Sequence, residues 1–186
     1  MMQNNDLINQ ALGVFKRTAY VKAKTTVDEW ADKNRFLDSA GASEHGRWRT
    51  DRTPYLRAVM QAMTEYRVVN VMKGVQLGFS EALINTILRY IDEDPCSMLY
   101  VMPSLEMAKS LSEVRIKPAI EACEQLRGKI KDPRVRDSGN RQLSKSFNGG
   151  VFALTGANSA SSFRSRPVRI LLEDEVDSYP ATLGEE

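Results

Sequence analysis

Two short runs of this 186-residue chain carry residue types that could act on a phosphate. The first is Lys73-Gly74-Val75-Gln76-Leu77-Gly78-Phe79-Ser80. Glycines at 74 and 78 let a backbone turn tightly and bring its N–H groups against phosphate oxygens. A helix starting at Ser80 would add unpaired N-terminal N–H groups and the positive end of its dipole. Against the pattern GxxxxGK[ST], Ser80 fits the hydroxyl position and Gly78 the second glycine. Phe79 stands where the lysine belongs, and Lys73 takes the first-glycine slot. A lysine at the loop entrance can still reach the β and γ phosphates from the other side. Taken alone, however, a glycine-containing turn beside a lysine is common.

The second run is Arg169-Ile170-Leu171-Leu172-Glu173-Asp174-Glu175, an apolar strand that ends in adjacent acids. An acid at a strand tip can hold Mg²⁺ together with a loop hydroxyl, which assigns Asp174 and Ser80 to the metal. The next acid, Glu175, can polarise an attacking water. A strand closed by a charged turn would look the same in isolation. The two runs lie about 95 residues apart with a strand between them, an arrangement that assembles a nucleotide site along one C-terminal sheet edge.

The elements that must position these residues read as alternating helices and strands. Apolar spacing predicts helices over 6–18, 27–36 and 55–65, the last begun by Pro54. The Arg-rich stretch 38–53 reads as a loop. Val68–Met72 reads as a buried strand, followed by a helix from Ser80 to about Ile91. A second strand covers Ser97–Met102, and Ser104 can cap the helix after it, which is expected to run to about Ile116 and break near Pro118. A further helical segment covers 119–126. Asn148-Gly149-Gly150 joins two strands, Gln142–Phe147 and Val151–Leu154, in a hairpin, and Val168–Leu172 is the last strand. Strands separated by helices of these lengths imply βαβ units and a mostly parallel, helix-covered sheet.

Composition excludes several classes. With 42% hydrophobic residues and 27% charged, wholesale disorder and collagen-like repeats are ruled out, and the length suits one domain with a sizeable core. The apolar runs fall far short of the roughly 18 residues a membrane span needs, and no secretory signal is visible at the start. Two cysteines, Cys96 and Cys123, without CxxC spacing fit free thiols in a reducing compartment. The single histidine, His45, argues against a histidine-based zinc site or a His-dependent triad. Net charge is +2, yet residues 127–145 hold seven Lys or Arg against two Asp, and Arg47, Arg49, Arg52 and Arg57 face only Asp51. Either cluster is a solvated face or a contact for a polyanion such as DNA.

The motifs extend further. Gly46-Arg47-Trp48-Arg49-Thr50, Pro54-Tyr55, Met72 through Glu81, Val101-Met102-Pro103, Arg136 through Asn140, Leu143-Ser144-Lys145, Thr155 through Ala160, Arg164 through Arg169 and Asp174-Glu175-Val176-Asp177 follow in an order that resembles the phage terminase large subunit of the lambda-type GpA family, over roughly 30–180. The displaced lysine is a peculiarity of terminase phosphate loops. The resemblance implies an ASCE/RecA-like P-loop NTPase that uses ATP and Mg²⁺ to drive DNA into a procapsid, in the cytoplasm of a bacterial host and without a membrane. Its implied partners are double-stranded phage DNA, a terminase small subunit, the portal of the procapsid and, at full length, further copies of itself.

Carried over, Lys73, Gly74, Val75, Gln76, Leu77, Gly78, Phe79 and Ser80 form the phosphate loop, Asp174 binds Mg²⁺ and Glu175 is the catalytic acid. Tyr55, with Trp48 second, is expected to stack on the adenine. Some relatives carry an arginine in the loop where this chain has Gln76, so the missing charge is expected from Arg164 or Arg166, or from a neighbouring subunit. Arg134, Arg136, Arg141 and Lys145 are candidates for DNA. Residues 1–45 are expected to form an N-terminal helical segment able to dock a small subunit, and 46–186 a partial ATPase domain cut after the acidic strand. Three or four core strands and an exposed sheet edge should result. Two other readings stay open: a non-catalytic DNA- or subunit-binding remnant, and a helicase-like translocase.

Overall fold

The computed structural model describes residues 24–37, 45–130, 142–159 and 167–181. Among the described residues three α-helices precede the main sheet. Helix α1 (Val27–Asn34) buries Val27, Trp30 and Ala31, and its N-terminus is closed by the Thr26 N–H donating to Glu29 Oε2 at 3.1 Å. A two-residue antiparallel pair, β1 (Phe36–Leu37) with β2 (Gly46–Arg47), leads into α2 (Tyr55–Glu65). Helix α3 (Phe79–Glu93) carries Leu83, Ile84, Ile87, Leu88 and Ile91 at helical spacing. It is buried from Ala82 through Ile91 because α1 and α2 cover one side and the sheet the other.

The sheet has four strands in the order β4-β5-β3-β6. Strand β3 (Met98–Met102) lies inside it, parallel to both β5 (Gly150–Gly156) and β6 (Ile170–Glu173). All five of its residues are buried, as a central strand covered on both faces requires. Strand β4 (Ser144–Phe147) pairs antiparallel with β5 through the hairpin expected at 148–150. Met98, Tyr100, Met102, Phe152, Leu154 and Leu172 face the helices, while Leu99, Val101 and Ala153 form a second small cluster on the other face with Ala157 and Tyr179. The architecture is mixed α/β with a mostly parallel sheet, as the alternation of elements indicated.

Two expectations are corrected. Val68–Met72 is not a strand: the segment has no regular structure and no ladder partner among the described residues, and Val68 and Met72 are exposed. A β-branched run becomes a strand only where a neighbour takes its N–H and C=O groups. Among the described residues the sheet ends instead at β6, where Leu171 is half exposed. Pro118 does not break its helix either. Ser104 caps α4 (Leu105–Leu111) by accepting from the Met107 N–H at 3.2 Å. The chain then passes through a π-helical turn, Ser112–Ile116, into α5 (Lys117–Ala122), and the proline occupies the first turn of α5, where a missing N–H is tolerated. The 6–18 helix, the loop basic residues Arg134, Arg136 and Arg141, and Arg164 and Arg166 lie outside the described residues.

Candidate functional site

Parallel pairing decides what meets at the end of the sheet. Tyr100 is in register with Leu172, and side chains alternate along a strand, so Asp174, two residues beyond Leu172, returns to the face that Tyr100 occupies. The Asp174 N–H continues the ladder by donating to Val101 O at 3.2 Å. Helix α3 covers this face and begins at the loop 73–78. The loop and the acidic tip, 94 positions apart in the chain, therefore converge.

Asp174 sits at the centre, 3% exposed. Its Oδ2 accepts from Ser80 Oγ at 2.8 Å and from the Tyr100 hydroxyl at 3.0 Å. Its Oδ1 accepts from the Glu175 N–H at 3.1 Å and has the Lys73 ammonium 3.6 Å away. A buried carboxylate is stable when its lone pairs are satisfied and a cation is adjacent, and here both conditions are met. The Tyr100 hydroxyl is pushed well above its usual value by burial, and then by the negative charge of Asp174, so it remains a donor.

Gly78 takes a left-handed conformation (φ 78°) directly before α3, a backbone position that favours glycine. Residues 71–77 are exposed, and the N–H groups of Phe79 and Ser80 open the helix, where the first donors have no intrahelical acceptor. Among the described residues two non-glycine positions have positive φ, Gln76 (59°) and Glu175 (55°), one in the loop and one beside the acid. Such conformations cost about 1–2 kcal/mol each and concentrate at functional positions. The Glu175 side chain is exposed and has no ion-pair or hydrogen-bond partner among the described residues.

Of the other expected site residues, Tyr55 stands beside the loop, half exposed, and its hydroxyl donates to Leu77 O at 3.1 Å. Trp48 does not: it is 6% exposed and donates from Nε1 to Thr50 Oγ1, so it is a core residue and is withdrawn as a stacking platform. Lys145 lies half-buried on β4, its ammonium donates to Gln142 O at 3.4 Å, and burial lowers its pKa. In the second basic cluster, Arg57 binds Asp28 and Asp51, and Arg47 donates to Lys33 O, which commits both to internal contacts.

Sequence reasoning missed two features. Tyr100 carries no signal of its own in the sequence, because its importance depends on which strand lies next to β3. Glu81, one residue after Ser80, is clamped by Arg35 at 3.1 Å and by Arg115 of the π turn at 2.7 Å, which fixes the first turn of α3 from two sides.

The donor set suits a magnesium nucleotide. Mg²⁺ takes hard oxygen donors, uses one or two protein groups and completes its shell with waters and phosphate oxygens. Ser80 Oγ and the Asp174 carboxylate, both oxygen donors at one point beside exposed loop N–H groups, fit that demand. Among the described residues no group of three or more His, Cys, Asp or Glu gathers as an all-protein metal cage, which is the pattern a zinc or calcium site would need.

Comparison with known proteins agrees with the geometry. The chain is 28% identical over 173 residues to the terminase large subunit of Escherichia phage lambda, covering 91% of this chain and 27% of that protein. It is 24% identical over 165 residues to the terminase large subunit of Enterobacteria phage P21, covering 87% of this chain and 25% of that protein. The chain thus spans about a quarter of the length of these curated relatives. No solved structure matches it. The model of the phage terminase large subunit gpA ATPase domain matches residues 42–186, well over half the sequence, and the chain belongs to that family.

Proposed function

We propose that this chain binds ATP with Mg²⁺ and hydrolyses it, as the ATPase part of a terminase large subunit with an ASCE/RecA-like P-loop. The observation that carries the reading is the convergence of Lys73, Ser80 and Asp174, with the Lys73 ammonium 3.6 Å from Asp174 and the Ser80 hydroxyl 2.8 Å from it. Within this reading Lys73 and the loop N–H groups of 74–80 hold the β and γ phosphates, and Tyr55 offers an exposed ring to the adenine. Ser80 and Asp174 hold the metal, which when bound neutralises charge on the phosphate oxygens. Glu175 orients the water and takes its proton as the oxygen attacks the γ phosphorus and the bond to the β-phosphate oxygen breaks. Arg164, or an arginine of another subunit, supplies the positive charge that Gln76 lacks.

The work this hydrolysis would drive is the translocation of double-stranded phage DNA into a procapsid, in the bacterial cytoplasm. The small subunit, the portal and further copies of the chain are its partners. Residues 1–45 form the docking segment and 46–186 the ATPase, with Arg134, Arg136, Arg141 and Lys145 toward DNA. The test is phosphate release from ATP, with and without DNA, by the wild type and Glu175→Gln. The reading expects DNA-stimulated release that falls at least a hundredfold in Glu175→Gln while ATP binding persists. Binding without turnover in both proteins would replace the motor with a nucleotide-binding module.

A further inference from the structure

The ring of Tyr100 is fully buried at the centre of β3, among Met98, Met102, Phe152 and Leu154 on the helix-facing side of the sheet. A phenylalanine would fill that space equally well. The hydroxyl, which a phenylalanine lacks, is spent on one contact, with Asp174 Oδ2 at 3.0 Å. The same oxygen accepts from Ser80 Oγ at 2.8 Å. The carboxylate is therefore gripped at Oδ2 by a rigid strand and by the helix that follows the loop. Its Oδ1 is turned toward Lys73 at 3.6 Å and the Glu175 N–H at 3.1 Å.

The side-chain contacts among these differ in firmness. Lys73 and the loop are exposed, and Ser80 is in the first turn of α3, next to the loop. Tyr100 is anchored in the middle of a strand paired on both sides. If Lys73 and Ser80 turn toward arriving phosphates, Tyr100 is the side-chain donor that stays, beside the backbone N–H of Glu175. We infer that Tyr100 is a positioning residue: its hydroxyl holds the Asp174 carboxylate in the rotamer that presents it to a magnesium nucleotide. This rests on the nucleotide reading given above. Groups that orient a metal-binding carboxylate typically change metal affinity about 10- to 100-fold when removed.

The test uses the 186-residue chain, its Tyr100→Phe variant, and both again in an Asp174→Asn background, with N-methylanthraniloyl-ADP fluorescence as the readout. Binding is titrated against Mg²⁺ and separately in EDTA. For Tyr100→Phe the Mg²⁺ concentration at half-saturation should rise about tenfold. Affinity in EDTA should stay within about twofold of wild type, since the hydroxyl acts through the carboxylate and not on the phosphates. In the Asp174→Asn background the same substitution should add less than about twofold, as coupling through one carboxylate demands.

An unchanged Mg²⁺ midpoint in Tyr100→Phe, with wild type responding to Mg²⁺, overturns this inference and leaves the nucleotide reading intact. Parallel losses with and without Mg²⁺, accompanied by a lowered melting temperature, also overturn it, since they mark a purely structural role. A wild type whose nucleotide binding ignores Mg²⁺ overturns the nucleotide reading and this inference together.

Discussion

Lys73→Ala separates the roles of the displaced lysine. Its ammonium lies 3.6 Å from Asp174 Oδ1, with the lysine side chain 27% exposed and the aspartate 3%. At that distance and an effective dielectric near 20 the gross attraction is about 4–5 kcal/mol. Desolvation of the buried partner offsets most of it. Asp174 also keeps three donors, from Ser80, Tyr100 and the Glu175 N–H. The folded state should therefore lose about 1 kcal/mol or less. A nucleotide loses more, because a charge-assisted contact to phosphate is worth about 1.5–3 kcal/mol, or roughly 10- to 150-fold in Kd. Fluorescence anisotropy with a labelled ATP reads the affinity, and urea unfolding of the same preparations reads the stability. An ATP affinity within twofold of wild type, in a variant that unfolds at the same urea concentration, would refute the assignment of Lys73 to the phosphates.

Three further outcomes follow from the packing. A Cβ at Gly150 would lie 2.5 Å from the Cys96 carbonyl carbon and 2.8 Å from the Ser97 nitrogen, both backbone atoms, so Gly150→Ala should destabilise the fold by about 2 kcal/mol or more in urea unfolding. Burial raises the Asp94 carboxyl, but the hydrogen bonds of Arg169 and Lys24 outweigh it and hold the group below its ordinary value. Its contribution is thus complete above about pH 4, the unfolded value, and is lost as pH falls through the lower folded value. Both cations are largely solvated, so wild type should lose about 1 kcal/mol or less more than Asp94→Asn between pH 5 and pH 3, measured by urea midpoints. Burial pushes both thiols, Cys96 and Cys123, upward, and a thiol reagent at pH 8 should modify them rapidly in denaturant and slowly in the native chain.

Much of the site was legible because its parts are local. The glycine-containing loop, the helix it opens and the acid at the tip of β6 each depend on a few neighbouring residues. Ser104 as a cap and the Asn148-Gly149-Gly150 hairpin were readable for the same reason. What escaped depends on neighbours distant in sequence. Val68–Met72 has every local mark of a strand, and only the absence of a hydrogen-bonded partner among the described residues makes it coil. Trp48 and Tyr55 are both aromatics ahead of the loop, yet tertiary packing buries one and leaves the other half exposed. Tyr100 acquires its role because β3 lies beside β6, a pairing no window of sequence contains. The turn through Pro118 survives because a π-helical turn precedes it, and propensity alone does not register that adjustment.

The central claim is that a lysine ahead of the loop and an acid beyond β6 serve one nucleotide. A crystal structure of the chain with Mg²⁺ and a nonhydrolysable ATP analogue tests it most directly. The account predicts the β and γ phosphates within hydrogen-bonding distance of the Lys73 ammonium, with Ser80 and Asp174 directed to the metal. Phosphates seated elsewhere, or Lys73 still turned to Asp174 beside a bound analogue, would contradict it.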